Sequence, residues 1–129
     1  IVYSSSWYNL PLDAAVMGQF SSDEHRFGVH AGDIETSMML ALSPAQVNMA
    51  EAHNFASTSQ ERAKHYAVLG NGKSAKLGWH MQDYNPQGAA GNAAAATATK
   101  GEALVHSAGE QLALLLKELV ELPLSTIRA

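Results

Sequence analysis

From Thr99 to Leu122 the residues Leu104, Ala108, Leu112, Leu115, Leu116, Leu119 and Leu122 recur at helical spacing and form one apolar stripe. Thr99 and Glu102 stand three apart at its start, the pattern of a capping box, and Pro123 ends it. A long helix apolar on one side must bury that side against another layer, so this chain has to fold by packing layers of secondary structure. The length allows it: 129 residues, 47% hydrophobic and only 16% charged, make one globular domain over 1–129 with a moderate core, and exclude disorder.

Upstream, Ile1 to Leu10 is rich in Val, Tyr and Trp and predicts a half-buried strand running into a loop at Pro11. Asp13 to Phe20 suits a short helix. Gly28 and Gly32 bracket His30 and Ala31, which predicts a constrained turn with unusual backbone conformations. A helix over Asp33–Leu42 follows, with Ile34, Met38, Ala41 and Leu42 at helical spacing and Asp33 and Glu35 where the helix dipole favours acid. Ser43-Pro44-Ala45-Gln46 stops it and reads as the capped start of a second short helix. Helical turns over Gln60–Val68, a Gly70-Asn71-Gly72 turn, a strand over Leu77–Met81 and a glycine-bearing loop from Asp83 to Gly91 are expected between these helices. Strands interleaved with helices indicate an α/β layered architecture, yet two or three strands are few for a self-contained sheet. With a start at Ile1-Val2-Tyr3 and no initiator Met, this suggests a chain that begins inside a longer polypeptide.

Charge and composition exclude several function classes. Eight Lys and Arg against twelve Asp and Glu give a net charge of −4, and no basic cluster is present, so nucleic acid is not an expected partner. The absence of cysteine excludes a disulfide framework, a thiolate zinc site and a Cys nucleophile, and fits a cytoplasmic location. No apolar run approaches the roughly 20 residues of a membrane helix, and no membrane partner is expected.

The strongest chemical constellation is Gly28-Val-His30-Ala-Gly32-Asp-Ile-Glu35-Thr-Ser37, an imidazole in a glycine-flanked turn just ahead of a helix. Such a turn can set backbone N–H groups and the positive end of a helix beside the imidazole, able to hold an anion or a developing oxyanion. His30 suits general acid or base work near neutral pH. A second reading of the same residues stands beside it: His30 bonding a turn carbonyl, and Glu35 merely favouring a helix N-terminus. Six histidines raise the question of metal, but none stand at His-x-x-x-His or His-x-His spacing, so no complete metal site is visible. Trp79, beside His80 and near Asp83, reads either as an aromatic pocket wall or as a strand tryptophan packed into the core. Ser37 lies in no Gly-x-Ser-x-Gly elbow, and its helical place makes it a structural hydroxyl.

The segment His30-Ala-Gly-Asp-Ile-Glu-Thr-Ser-Met-Met-Leu-Ala-Leu-Ser-Pro44 resembles the hallmark of the creatininase (creatinine amidohydrolase) family. A second block, Trp79 with Asp83, Gly88 and Gly91 and then Ala96-Thr-Ala-Thr-Lys-Gly-Glu102, is similar to that family's closing signature. The resemblance covers nearly the whole chain and corresponds to the C-terminal half of a member. It implies the C-terminal portion of a layered α/β/α creatininase-like fold and metal-assisted hydrolysis of a C–N amide or cyclic amide of a small molecule. It also implies a paired divalent-metal site, zinc or manganese, with ligands mainly from the N-terminal half: a Glu-x-His segment, an Asp, and a later His and Glu, none found here. That half is the expected partner, in the same protein or as a separate chain, and a homo-oligomer is the expected assembly.

Residue by residue, the resemblance puts His30 at the active-site histidine and Glu35 at the acid of the Glu-Thr-Ser motif, supporting the site around it. Creatinine-specific members carry a Trp-Asp pair and a Glu just before this histidine, where Arg26, Phe27 and Val29 stand here, so creatinine is not the expected substrate. Arg26 offers a bidentate contact to a carboxylate-bearing substrate, with a solvated surface arginine as the alternative. Two other classes remain: a non-catalytic fragment whose edge needs a partner, and a binding module using Trp79 and the 88–91 loop without turnover.

Overall fold

The longest element, α6 (Ala98–Glu121), begins where Thr97 adopts an extended backbone and its hydroxyl accepts a hydrogen bond from the Lys100 N–H at 3.3 Å. The cap therefore lies two residues before Thr99, which sits inside the first turn, and the expected Thr99–Glu102 box is not the cap. The structure is a computed structural model and describes residues 2–70, 75 and 77–127. Its other helices are α1 (Ala14–Met17), α2 (Ser22–Phe27), α3 (Asp33–Leu42), α4 (Thr58–His65) and α5 (Met81–Tyr84). Two short strands, β1 (Asn54–Phe55) and β2 (Gly91–Asn92), pair antiparallel, and His30 forms an isolated bridge with Ala90 just before β2.

The main packing is α3 on α6, and its centre is polar. Asp33 and Ser37, one turn apart on α3, are buried. Lys100 Nζ lies 2.6 Å from the Asp33 carboxylate and also donates to the Ala95 carbonyl. Ser37 Oγ donates to Asp33 at 3.0 Å and accepts from the Thr97 N–H at 3.1 Å, the structural role its sequence context predicts. Every polar atom of this cluster is partnered, the condition under which a buried ion pair is tolerated. Gly101 lets the helices touch: a Cβ there would fall on the Ser37 carbonyl. Leu104 fills the next turn, and Ser107 accepts from the Asp13 N–H, tying α1 to α6.

The apolar stripe is thus buried only at its N-terminal end. Leu112, Leu114, Leu116 and Val120 are exposed, and Leu112 and Leu115 line a shallow hollow with Trp7 and Leu10.

Several local expectations change. Residues 2–6 form no strand, and Trp7–Asn9 is a 3₁₀ turn; Leu77–His80 is not a strand either, and Met81 opens α5. Strand propensity alone leaves backbone groups unpaired, and no described segment pairs with these two. Ser43 ends α3 instead of capping a new helix, and Pro44–Gln46 makes only a 3₁₀ turn. The helical turns expected over 60–68 are α4, capped by Ser57 accepting from Ser59 N–H. The expected turn at Gly70-Asn71-Gly72 lies largely outside the described residues. The result is a helix-rich mixed α/β unit.

Candidate functional site

Ser21 caps α2 by accepting from the Glu24 N–H, and Ser21-x-x-Glu24 is a capping-box pattern. Glu24 does not complete the box. Its side chain, in a residue only 7% exposed, instead crosses to two other segments: Oε1 accepts from Ile34 N–H at 3.2 Å and Oε2 from Asn92 N–H at 2.9 Å. The carboxylate therefore satisfies the start of α3 and fastens β2 beside it. Gly32 makes room for it, since a Cβ there would lie 2.2 Å from Oε1, and a Cβ on Gly91, at φ +143°, would lie 2.5 Å from the Gly32 Cα.

On this base sits the His30 turn. Ala31 adopts a left-handed φ of 53°, a conformation a non-glycine residue holds only when its surroundings dictate it. Two contacts do so. The Ala31 N–H donates to Glu35 Oε2 at 2.8 Å, and His30 exchanges backbone hydrogen bonds with Ala90 on the other side. The same Glu35 oxygen lies 3.1 Å from His30 Nδ1, so one carboxylate holds both the turn and the imidazole. With Nδ1 taken, Nε2 is the ring nitrogen left for a ligand. The His30 side chain is 58% exposed and Glu35 44%, on the wall of a hollow of about 470 Å³ that Trp7, Tyr8 and His25 also line.

Arg26 and Trp79 face a different cavity, of about 240 Å³, which shares Gly28 and Val29 with the first. Trp79 is 47% exposed and meets Tyr84 edge-on at 5.3 Å, so it is a pocket wall and not a core residue. The Arg26 guanidinium lies over Phe27 at 4.7 Å. Arg62, from α4, enters the same cavity, donating to Thr58 Oγ1 at 2.9 Å and lying over the Tyr84 ring. Its neighbour Glu61 is engaged elsewhere: the hydrogen bond and charge of Lys64 hold the Glu61 carboxyl below its ordinary pKa.

Four predicted residues thus fall into two adjacent hollows, His30 with Glu35 and Arg26 with Trp79. Glu24 and Arg62 were missed. The Ser21–Glu24 spacing pointed to a helix start but not to where the carboxylate goes, and nothing local to Arg62 marks it. Among the described residues no group of three His, Asp or Glu side chains converges, so these residues do not by themselves fit a divalent metal ion.

Residues 2–116 match the family model described as creatininase, creatinine amidohydrolase. A crystal structure of a proposed creatinine amidohydrolase from Bacteroides fragilis NCTC 9343 is 30% identical over 96% of this chain, with a TM-score of 0.71. The chain spans 45% of that protein's length. No curated protein matches.

Proposed function

The chain belongs to the creatininase family, and on that premise we propose that it forms part of an amidohydrolase cleaving a C–N amide or cyclic amide of a small molecule. The observation that carries this reading is the His30–Glu35 pair, an exposed imidazole held through Nδ1 at 3.1 Å on the wall of a hollow. In hydrolysis, Nε2 of His30 takes a proton from the attacking water and returns one to the leaving nitrogen, giving a carboxylate and an amine. Glu35 holds the ring through Nδ1 and fixes its orientation. Arg26 and Trp79 bind substrate, and creatinine is not that substrate, because Arg26, Phe27 and Val29 replace the residues that creatinine-specific members carry.

The family generally uses a divalent metal. As the described residues lack a ligand set, we assign the ligands of the zinc or manganese ions to polypeptide outside this chain. The chain then acts as the C-terminal portion of one creatininase-like domain, partnered by the N-terminal half, in a cytoplasmic homo-oligomer. Its 45% share of the related structure and the exposed leucines of α6 support this reading. Denaturing intact-mass measurement with metal analysis tests it: a polypeptide carrying the other half, with about two divalent ions per domain, is expected. A lone chain without metal would overturn it.

His30→Ala in the complete enzyme should lower turnover by about 10²- to 10⁴-fold with metal content unchanged. Unchanged turnover sinks the assignment, and loss of metal makes His30 a ligand. A second reading, a non-catalytic interaction module, is favoured by the same exposed α6 face and predicts no turnover of any amide.

A further inference from the structure

Of the described basic side chains, Lys64, Lys100 and Lys117 each pair with a carboxylate, namely Glu61, Asp33 and Glu121. Arg26 and Arg62 have no carboxylate within ion-pair distance among the described residues, although acids outnumber bases in the sequence. Both line the 240 Å³ cavity between α2, α4 and the Trp79–Tyr84 segment. Two cationic groups facing one hollow repel each other unless an anion enters. Both are also positioned in advance: Arg26 by the Phe27 ring, Arg62 by the Tyr84 ring and by Thr58 Oγ1, whose own proton goes to the Asp83 carbonyl. Guanidinium groups held by a ring, with one hydrogen bond in the case of Arg62, keep their other N–H donors for a ligand, and their fork matches a carboxylate.

Part of the remaining wall is aromatic, beside Leu69, Ala75 and Leu77. Trp79 and Tyr84, packed edge to face, expose ring surface suited to a flat, unsaturated group. The volume suits one ring and its substituent and is below that of a drug-sized site. We propose that this cavity binds a planar ring carboxylate, with Arg62 joining Arg26 in holding the carboxylate and Trp79 stacking on the ring. Because Gly28 and Val29 form a wall common to this cavity and the His30 hollow, the bound group is, on the amidohydrolase reading, the acidic end of the substrate.

The test uses the full-length protein carrying Trp7→Phe, so that Trp79 is its tryptophan among the residues of this chain, and titrates benzoate, benzamide and acetate by fluorescence quenching. Benzoate should quench saturably, with benzamide and acetate at least about tenfold weaker, and Arg62→Gln should weaken benzoate by about tenfold or more. His30→Ala should bind benzoate unchanged. Equal binding of benzoate and benzamide overturns the proposal on the unsubstituted cavity, whether or not the arginine variant folds. Unchanged benzoate affinity in a folded Arg62→Gln protein overturns it as well. Benzoate binding without turnover of any amide supports the cavity and sinks only the hydrolase reading, whereas turnover without selective benzoate binding does the reverse.

Discussion

Glu24 is the residue whose removal should most disturb the backbone that carries the site. Its carboxylate accepts from Ile34 and Asn92, joining α2, the start of α3 and β2. Glu24→Ala strands two N–H donors around a void, and a loss of about 2–4 kcal/mol in stability by urea denaturation is expected. A loss under about 0.5 kcal/mol would show that water replaces the carboxylate freely. The neighbouring glycines illustrate what a sequence conceals at this scale. Gly28 and Gly32 predict an unusual turn, and the turn exists, but the left-handed residue is Ala31; Gly28 and Gly32 have ordinary φ and serve as space. Room for a carboxylate ten residues from Ile34 in the chain is a tertiary demand that local spacing does not carry.

At the scale of elements, the α3–α6 interface combines the closest helix contact with a buried ion pair. Gly101→Ala places a methyl on the Ser37 carbonyl, and the helices must separate, costing about 2 kcal/mol or more in thermal unfolding. Lys100→Met leaves Asp33 charged and buried, with an expected cost of about 3–5 kcal/mol. The double change Asp33→Asn with Lys100→Met should cost less than Lys100→Met alone; an additive result would mean the two do not act as a pair. The α3 and α6 helices were both legible from apolar periodicity. The predicted strands at the N-terminus and at Leu77 were not realised, because a strand is completed by its neighbour and a helix bonds within itself.

At the scale of the molecule, the outer half of α6 leaves Leu112, Leu114, Leu116 and Val120 exposed, more apolar surface on one helix than a lone domain usually shows. If this face meets the other half of the domain or a second copy, Leu112→Ser with Leu116→Ser should leave the unfolding free energy of this chain within about 1 kcal/mol. The same pair should weaken association, read by light scattering after size exclusion. Association unchanged by the pair would remove this face from the interface. No described helix is long and apolar enough to cross a membrane, so the exposed leucines are not a spanning segment.

The sequence by itself determined the α3 and α6 helices, the His30 turn and the family, since these rest on contacts within a few residues or on contiguous motifs. Tertiary structure alone decided that Glu24 buttresses the turn, that Arg62 joins Arg26 beside Trp79, and that half of the α6 stripe stays uncovered. A carboxylate, a guanidinium or a leucine acquires its role from what lies across the fold, and the partners of the Glu24 carboxylate stand 10 and 68 residues away.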